Sequence, residues 1–267
     1  SRQYSFVGWN LRRAPLDDVT VRRALGMAID REQIIRTLRE GRGELATGPI
    51  GPYHWAYDST IAPLPFSPDS ARALLRAAGF EDRNDDGIRE RPDGRDLELS
   101  LKFPAGSGFN RDASEMIASD LRDVGVRLKL RPTEWSTLIG DLTGAKRDFE
   151  AVLMGWEADF RVNLRGLFHS AERDGPFQFA GYANPEVDRL IDLSSRTTDR
   201  EHAKALLRRL QRIFRDEQPW TFLYYYPDLY VVDQRLAGIE MDIRGALVGL
   251  TDWRLEPATR TAQARSD

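Results

Sequence analysis

The sequence predicts an α/β fold in which a mixed, mainly parallel sheet is flanked by helices. Residues 97–155 alternate between strand-like and helix-like segments in the order β-α-β-α-β. Strands that alternate with helices of this length pair in parallel through right-handed crossovers. The last of these strands, residues 151–154, is an unbroken apolar run, which is typical of a central strand covered on both faces.

Composition and charge narrow the functional classes. The chain has 267 residues, enough for one large domain or two small ones. Its 39 basic and 42 acidic residues give a net charge of -3, so electrostatics gives no reason to expect binding to nucleic acid or an anionic membrane. The absence of cysteine excludes disulfides, thiolate metal sites and cysteine nucleophiles.

The first quarter of the chain predicts a strand, a helix and a long irregular segment. Residues 3–10 have the β-rich composition of a strand. Asp17 or Asp18 then caps a helix whose apolar residues recur at helical spacing through Leu38. Residues 41–66 are rich in glycine, proline and aromatic residues, and such long loops often carry function. The alternative is that these aromatic residues cover the edge of the core.

The rest of the chain continues with capped helices and short strands. Ser67 caps a helix with Pro68 in its first turn and Gly79 at its end. The next predicted elements are a hairpin at residues 82–96, a strand at 97–103, a helix from Asn110 to Val124, a strand at 126–130 and a helix at 134–146. The last are helices from Asn184 and Asp199, an extended segment at 220–233 interrupted at Pro227, and a polar tail from Pro257.

The candidate site follows the apolar strand at residues 151–154. Ligands of β/α layers bind beyond the carboxyl ends of the strands, and this strand leads into Gly155, Trp156, Glu157 and Asp159. An indole wall beside a carboxylate suits a ligand with a cationic group, such as a free amino terminus.

The simpler alternative gives these residues structural roles. Trp156 would then belong to the core, and Asp159 would cap the next loop or pair with Arg161 or Arg165.

Other candidate sites have weaker support. The hairpin at residues 82–96 resembles an EF-hand loop, because Asp82, Asn84 and Asp86 occupy positions 1, 3 and 5. Asp93 in place of glutamate at position 12, and the lack of a flanking helix pair, favour a hairpin with Asx turns.

Catalytic and histidine-based metal sites also lack support. The histidines His54, His169 and His202 are far apart, and His169 alone lies near enough to the proposed site to touch a ligand. No nucleotide-binding or hydrolase motif occurs, so we predict neither catalysis nor a cofactor.

Eight motifs in order resemble one known family. They are PLDDVTVRRALGMAIDREQII, TGPIGP, SPDSARALLRAAGF, DRNDDGIRERPDGR, EW, DFEAVLMGWEAD, YANPEVDRLI and YYYPDLYVV. Together they make the chain similar to the C-terminal half of the family 5 extracellular solute-binding proteins, the receptor subunits of peptide and nickel ABC importers.

This resemblance implies a periplasmic-binding-protein-like (type II) lobe. It implies a hinge strand at residues 1–10, a ligand-binding lobe at 11–223, a second hinge strand at 224–235, and a segment at 236–267 that returns toward a missing N-terminal lobe before the polar tail. The implied partners are a peptide or similar small solute, that lobe and an ABC permease. The implied location is periplasmic or extracellular, with a lipid anchor as one option, and the abrupt start of the chain suggests a fragment.

The resemblance also implies roles for individual residues. Asp159 would pair with the α-ammonium group of a peptide, Trp156 and Trp135 would line side-chain pockets, and one of three hinge tyrosines would contact the ligand backbone. The predicted ligand-binding set is Asp159, Trp156, Trp135, Gly155, Glu157, Tyr225 and Tyr226, with Tyr224 as the third hinge tyrosine.

Two departures from the family pattern leave the identity of the ligand open. Leu153 stands where oligopeptide receptors can carry an arginine, and FRVNLRGLFHS replaces the segment that often follows Asp159, so a ligand other than a peptide stays open.

A second hypothesis for the function of the chain is the ligand-sensing domain of a transcription regulator. The weakest is a hydrolase that uses Glu157 and Asp159 as an acid/base pair.

Overall fold

The structure, a computed structural model, describes residues 2–158, 160, 163–242, 244–245 and 247–256. These residues form two compact units, Arg2–Tyr226 and residues 227–256. Within the described ranges, no helix has the length and apolar character that would let it cross a membrane. The second unit contains a small antiparallel pair, β7 (Leu236–Ala237) with β8 (Arg254–Leu255).

The first unit combines eight helices and six strands among its described residues. The helices are α1 (Val19–Ala28), α2 (Arg31–Leu38), α3 (Pro68–Ala77), α4 (Gly108–Arg122), α5 (Trp135–Thr143), α6 (Arg165–Phe168), α7 (Pro185–Arg196) and α8 (Arg200–Glu217). The strands are β1 (Gln3–Trp9), β2 (Glu44–Leu45), β3 (Glu98–Pro104), β4 (Arg127–Thr133), β5 (Ala151–Glu157) and β6 (Trp220–Tyr226).

The strands of the first unit form one mixed sheet in the order β2-β6-β1-β5-β3-β4. The predicted α/β fold is confirmed, and β3 pairs in parallel with both β4 and β5. However, β1 pairs antiparallel with β5 and β6, and β6 does so with β2, so antiparallel pairs outnumber parallel ones among the described strands. The β-α-β-α-β pattern predicts only the parallel half of the sheet, β3, β4 and β5. Strands β1 and β6 come from the two ends of the unit's sequence, so no local pattern predicts that they pair with each other.

Several predicted element boundaries are wrong, and three of them have a clear physical reason. The single helix through Leu38 is broken at Ile29, which is extended, and Asp30 caps α2 by accepting the amide of Gln33 at 2.8 Å. The cap of α4 is Ser107 rather than Asn110, whose amide donates to the Ser107 hydroxyl at 3.2 Å. In both places a short polar side chain satisfies amides that have no partner in the first helical turn.

The third boundary error concerns the extended segment predicted at residues 220–233. Strand β6 ends at Tyr226, and residues 227–233 form no strand. Pro227 follows directly, and it has no amide hydrogen with which to continue the ladder.

The hairpin at residues 82–96 uses its acidic side chains internally. Asp82 accepts the amide of Gly87 at 2.9 Å, and Asp86 accepts that of Ile88 at 2.8 Å. Asn84 accepts the amide of Asp86 at 2.9 Å. The bonds of Asn84 and Asp86, each to the amide two residues on, are those of Asx turns. All three bonds provide a structural reason for the acidic run.

The core has two clusters. An aliphatic cluster packs α1–α4 against the sheet and includes Val7, Leu25, Leu101 and Leu153. An aromatic cluster of fully or nearly fully buried rings packs α7 and α8 against the sheet. Its central members are Phe6, Phe168, Phe179, Phe214 and Trp220.

The partly buried carboxyl group of Asp120 should make the free energy of unfolding depend on pH. Its carboxylate accepts the amide of Asp30 at 2.9 Å, and burial, with the nearby charges of Asp30 and Asp123, raises its pKa to about 6. Because the folded state prefers the protonated form, stability is lost as the pH rises from about 4 to above 6. Asp120→Asn should therefore be about 1 kcal/mol more stable than the parent at pH 8 and similar at pH 4.

Urea unfolding of both proteins across this pH range is the measurement. Asp112→Asn, at an exposed position on the same helix, is the control and should follow the parent. A pH-independent difference between Asp120→Asn and the parent would contradict the prediction.

Candidate functional site

A cavity of about 270 Å³ opens where β5 reaches its carboxyl end. It draws residues from β1, β5, the irregular segment at 41–66, and the stretch around α6. Its main walls are Tyr4, Pro49, Tyr53, Trp156, Leu167 and Phe177. None of the described lining residues is charged. The cavity therefore suits an apolar or aromatic group of a ligand.

Trp156, one of the predicted ligand-binding residues, forms one wall of this cavity. It is partly buried, and its ring packs edge-on against Phe177, with centroids 6.0 Å apart. It also contacts Trp220 of the aromatic cluster, with ring centroids 6.3 Å apart. Strand pairing places Tyr4 directly opposite Trp156, so both side chains point to the same face. The core thus fixes the orientation of the cavity wall.

Gly155 and Tyr226 lie on the other face of the sheet. Side chains alternate along β5, and Tyr226 packs with the aliphatic cluster rather than at the cavity. A Cβ atom at Gly155 would come within 3.0 Å of the Tyr226 hydroxyl. Gly155 therefore makes room for the Tyr226 side chain. Neither residue belongs to the described lining of the cavity.

Tyr225 positions the cavity rather than lining it. Its ring is 7% exposed, and its hydroxyl lies 2.8 Å from the carbonyl oxygen of Gly48 and 3.0 Å from that of Ile50. Burial raises the pKa of this hydroxyl above its ordinary range, so it stays protonated. These bonds hold the segment that carries Pro49 into the cavity wall.

Glu157 and Trp135 are also outside the described cavity lining. Glu157 forms an ion pair with Arg2. Arg2 also donates to the Ala158 carbonyl at 2.8 Å and lies 4.2 Å above the ring of Phe160. The Trp135 side chain, at the start of α5, is 54% exposed.

Asp159, predicted as the anchor for a cationic group, lies outside the described residues. Its neighbours on both sides, Ala158 and Phe160, are held by Arg2.

Sequence reasoning missed most of the cavity walls. Tyr53 belongs to the aromatic segment at residues 41–66, for which a functional role was one of two predictions. Tyr4 and Phe177 had no local signal, because a tyrosine in a strand and a phenylalanine in a loop are ordinary. Only the pairing of β1 with β5 brings Tyr4 beside Trp156.

A second cavity of about 170 Å³ adjoins the first and is more polar. Asp192 lines it and pairs with Arg165 at 2.8 Å. His169 is 7% exposed, accepts the amide of Ala171 at 3.0 Å through Nδ1, and lies 3.5 Å from Asp192 through Nε2. It does not line either described cavity. Its contacts tie α6 to α7.

Two curated relatives of this chain are named as peptide-binding proteins. The oligopeptide-binding protein AppA of Bacillus subtilis is 29% identical over 94% of this chain and 47% of its own length. The di/tripeptide-binding protein 1 of Pseudomonas aeruginosa is 28% identical over 81% of this chain and 38% of its own length. The chain thus spans less than half of each of these relatives.

Solved structures share the fold. The AppA structure from Bacillus subtilis in complex with a nonapeptide matches 96% of this chain and 51% of that chain, with 28% identity and a TM-score of 0.87. NikZ of Campylobacter jejuni, in complex with Ni(L-His), matches 95% of this chain and 52% of its own at 22% identity with a TM-score of 0.79, which supports the fold alone. These matches confirm the predicted periplasmic-binding-protein-like (type II) lobe.

The family itself follows from the sequence. The profile of the bacterial extracellular solute-binding proteins, family 5 (middle region), matches residues 1–171, which is more than half of the chain. This match confirms the resemblance that the eight motifs predicted. The chain therefore belongs to the family 5 bacterial extracellular solute-binding proteins.

Proposed function

We propose that this chain is the ligand-binding lobe of an ABC importer receptor that takes up peptides or similar small solutes. The observation that carries the proposal is the uncharged aromatic cavity at the carboxyl end of β5, in a chain of this family. AppA, named as an oligopeptide-binding protein, and the di/tripeptide-binding protein support peptides as the ligand class. The protein would work in the periplasm or outside the cell.

In this proposal Asp159 anchors the amino terminus of the peptide and Trp156 contacts a ligand side chain. The Arg2 contacts support it, because they hold the Ala158 carbonyl and the Glu157 carboxylate directly before Asp159. A fixed backbone lowers the entropy lost when a ligand is bound.

The lobe would close on its ligand through two hinge crossings, at residues 1–10 and 224–235. Strands β1 and β6 support this proposal, because they are neighbours in the sheet and Gln3 pairs with Tyr226. Residues 236–256 would return to the missing lobe, and the exposed Leu247 and Leu255 offer it apolar contacts. A permease would recognise the closed form.

The two competing functions have less support. The relatives named above are binding proteins, so the regulator hypothesis gains nothing from them. A hydrolase would need a free acid/base pair, whereas Glu157 is engaged with Arg2.

Native mass spectrometry of the full-length protein, purified gently from its host, tests the proposal. A series of adducts with peptide masses would support peptide uptake. A single adduct of another mass would keep the receptor function but exclude the amino-terminal role of Asp159. A protein without any adduct, which also fails to bind a synthetic peptide pool, would contradict the proposal.

The two predicted pocket tryptophans should differ in their effect on binding. Trp156→Ala removes a cavity wall and should weaken peptide affinity about tenfold or more, because buried aromatic anchors dominate binding energy. Trp135→Ala, at an exposed position away from the cavity lining, should change affinity less than about threefold. Calorimetric titration of both variants with one bound peptide is the measurement, and equal losses would contradict this cavity as the side-chain site.

A further inference from the structure

Tyr4 is one of the residues that line the 270 Å³ cavity, and its buried hydroxyl has no hydrogen-bond partner among the described residues. The residue is 1% exposed and lies in the middle of the sheet, opposite Trp156 of β5 and Tyr225 of β6. Its ring packs against Phe222, with centroids 5.7 Å apart. Its hydroxyl donates to and accepts from no described residue. Because a buried hydroxyl without a hydrogen bond is costly, such a group calls for an explanation.

Two other polar side chains near the cavity already have hydrogen-bond partners. The Asn163 side chain accepts the amide of Arg165 at 3.3 Å. The Tyr225 hydroxyl lies within hydrogen-bond distance of two backbone carbonyls. Among the described lining residues, Tyr4 alone has a buried side-chain polar atom that lacks a partner.

The chemical state of the Tyr4 hydroxyl follows from its surroundings. Burial, with the nearby Tyr225 and Tyr53, raises its pKa well above the ordinary value. It therefore stays neutral at any physiological pH and offers one donor and a free acceptor. A neutral ligand group that either donates or accepts a hydrogen bond would satisfy this hydroxyl.

We propose that Tyr4 is a specificity-determining residue, which selects a ligand side chain with an aromatic body and a neutral hydrogen-bonding atom at its tip, such as the phenol of tyrosine. The inference rests on the proposed peptide-binding function. Trp156, Phe177 and Leu167 provide the apolar walls for the body. A charged tip is disfavoured, because the described lining offers no charge to compensate its loss of water.

A pool of synthetic peptides tests the inference in the full-length protein. Peptides of two to nine residues with randomised sequences are mixed with the protein, and the retained fraction is sequenced by mass spectrometry. The parent should enrich tyrosine over phenylalanine at one position by about tenfold, because a site with an unpaired polar group rejects an analogue that leaves it unpaired. Tyr4→Phe should reduce this ratio to about one or below.

Tyr182→Phe is the matched control, since it removes a buried hydroxyl that is bonded to Glu217 at 2.6 Å, away from the described lining of this cavity. It should lower the unfolding midpoint but keep the tyrosine preference. If peptides are retained with the same tyrosine-to-phenylalanine ratio by the parent and Tyr4→Phe, the inference is wrong while the peptide function stands. If the parent retains no peptide, the proposed function fails and the inference falls with it.

A measurement on the parent alone covers the case in which Tyr4→Phe does not fold. The probes are p-cresol and toluene, which differ by one hydroxyl, and their binding is followed by ligand-detected NMR. We expect p-cresol to bind at least about tenfold more tightly than toluene. Equal binding of the two probes would overturn the inference.

Discussion

Trp220→Ala is expected to lower the free energy of unfolding by about 3–5 kcal/mol, the range typical of large aromatic residues removed from a core. The Trp220 ring is fully buried and stacks on Phe6, with centroids 4.0 Å apart and planes 11° from parallel. It also stacks on Phe179 at 5.3 Å and contacts Phe168 at 4.8 Å. Removing it leaves a cavity that three neighbouring rings are too constrained to fill.

Chemical denaturation of the parent and the variant measures this loss. Trp135→Ala provides the control, because it removes the same side chain from a position that is 54% exposed. Its effect should stay within about 0.5 kcal/mol, as for most surface substitutions. A loss below about 1.5 kcal/mol in Trp220→Ala would show that the aromatic cluster repacks, contrary to the prediction.

Asp159→Asn is expected to weaken peptide binding by about 30- to 1000-fold in the full-length protein. The change removes one partner of the ion pair that we propose with the α-ammonium group of the peptide. Truncating one partner of a buried, hydrogen-bonded charge pair costs about 2–4 kcal/mol, much of it from the charge left unpaired. Isothermal titration with a peptide recovered from the protein is the measurement.

An acetylated form of the same peptide makes the Asp159 test specific. Acetylation removes the ammonium charge, so the parent should bind the acetylated peptide much more weakly than the free one. Asp159→Asn should discriminate little between the two forms. Glu157→Gln serves as the control, because Glu157 is already paired with Arg2, and it should keep the discrimination. Full discrimination in Asp159→Asn would exclude Asp159 as the anchor.

Much of the fold can be predicted from local sequence signals, namely helix caps and the alternation of apolar and polar residues in strands. Ser67, Asn184 and Asp199 each cap the helix that the sequence places after them. The alternation from Leu97 to Phe103 correctly predicts which side of β3 is buried. Such signals are readable because a cap acts within one turn and alternation within one strand.

The misplaced helix boundaries show where local signals compete. Asp18 and Asp30 are both good caps, and apolar spacing continues across both, so the pattern favours one long helix. A tertiary contact favours two helices over one, because Asp120 of α4 accepts a hydrogen bond from the Asp30 amide and so stabilises the break between α1 and α2.

By itself, the sequence determined the family, the alternation of helices and strands, and Trp156 at the end of a central strand. The tertiary structure alone decided what surrounds Trp156. Tyr4, Tyr53 and Phe177 are up to 173 residues apart, the difference between positions 4 and 177, and they meet because β1 pairs with β5 and the connecting segments pack over that edge. The reason is physical: a helix cap or a strand face depends on neighbours along the chain, whereas a cavity depends on which distant segments the core brings together.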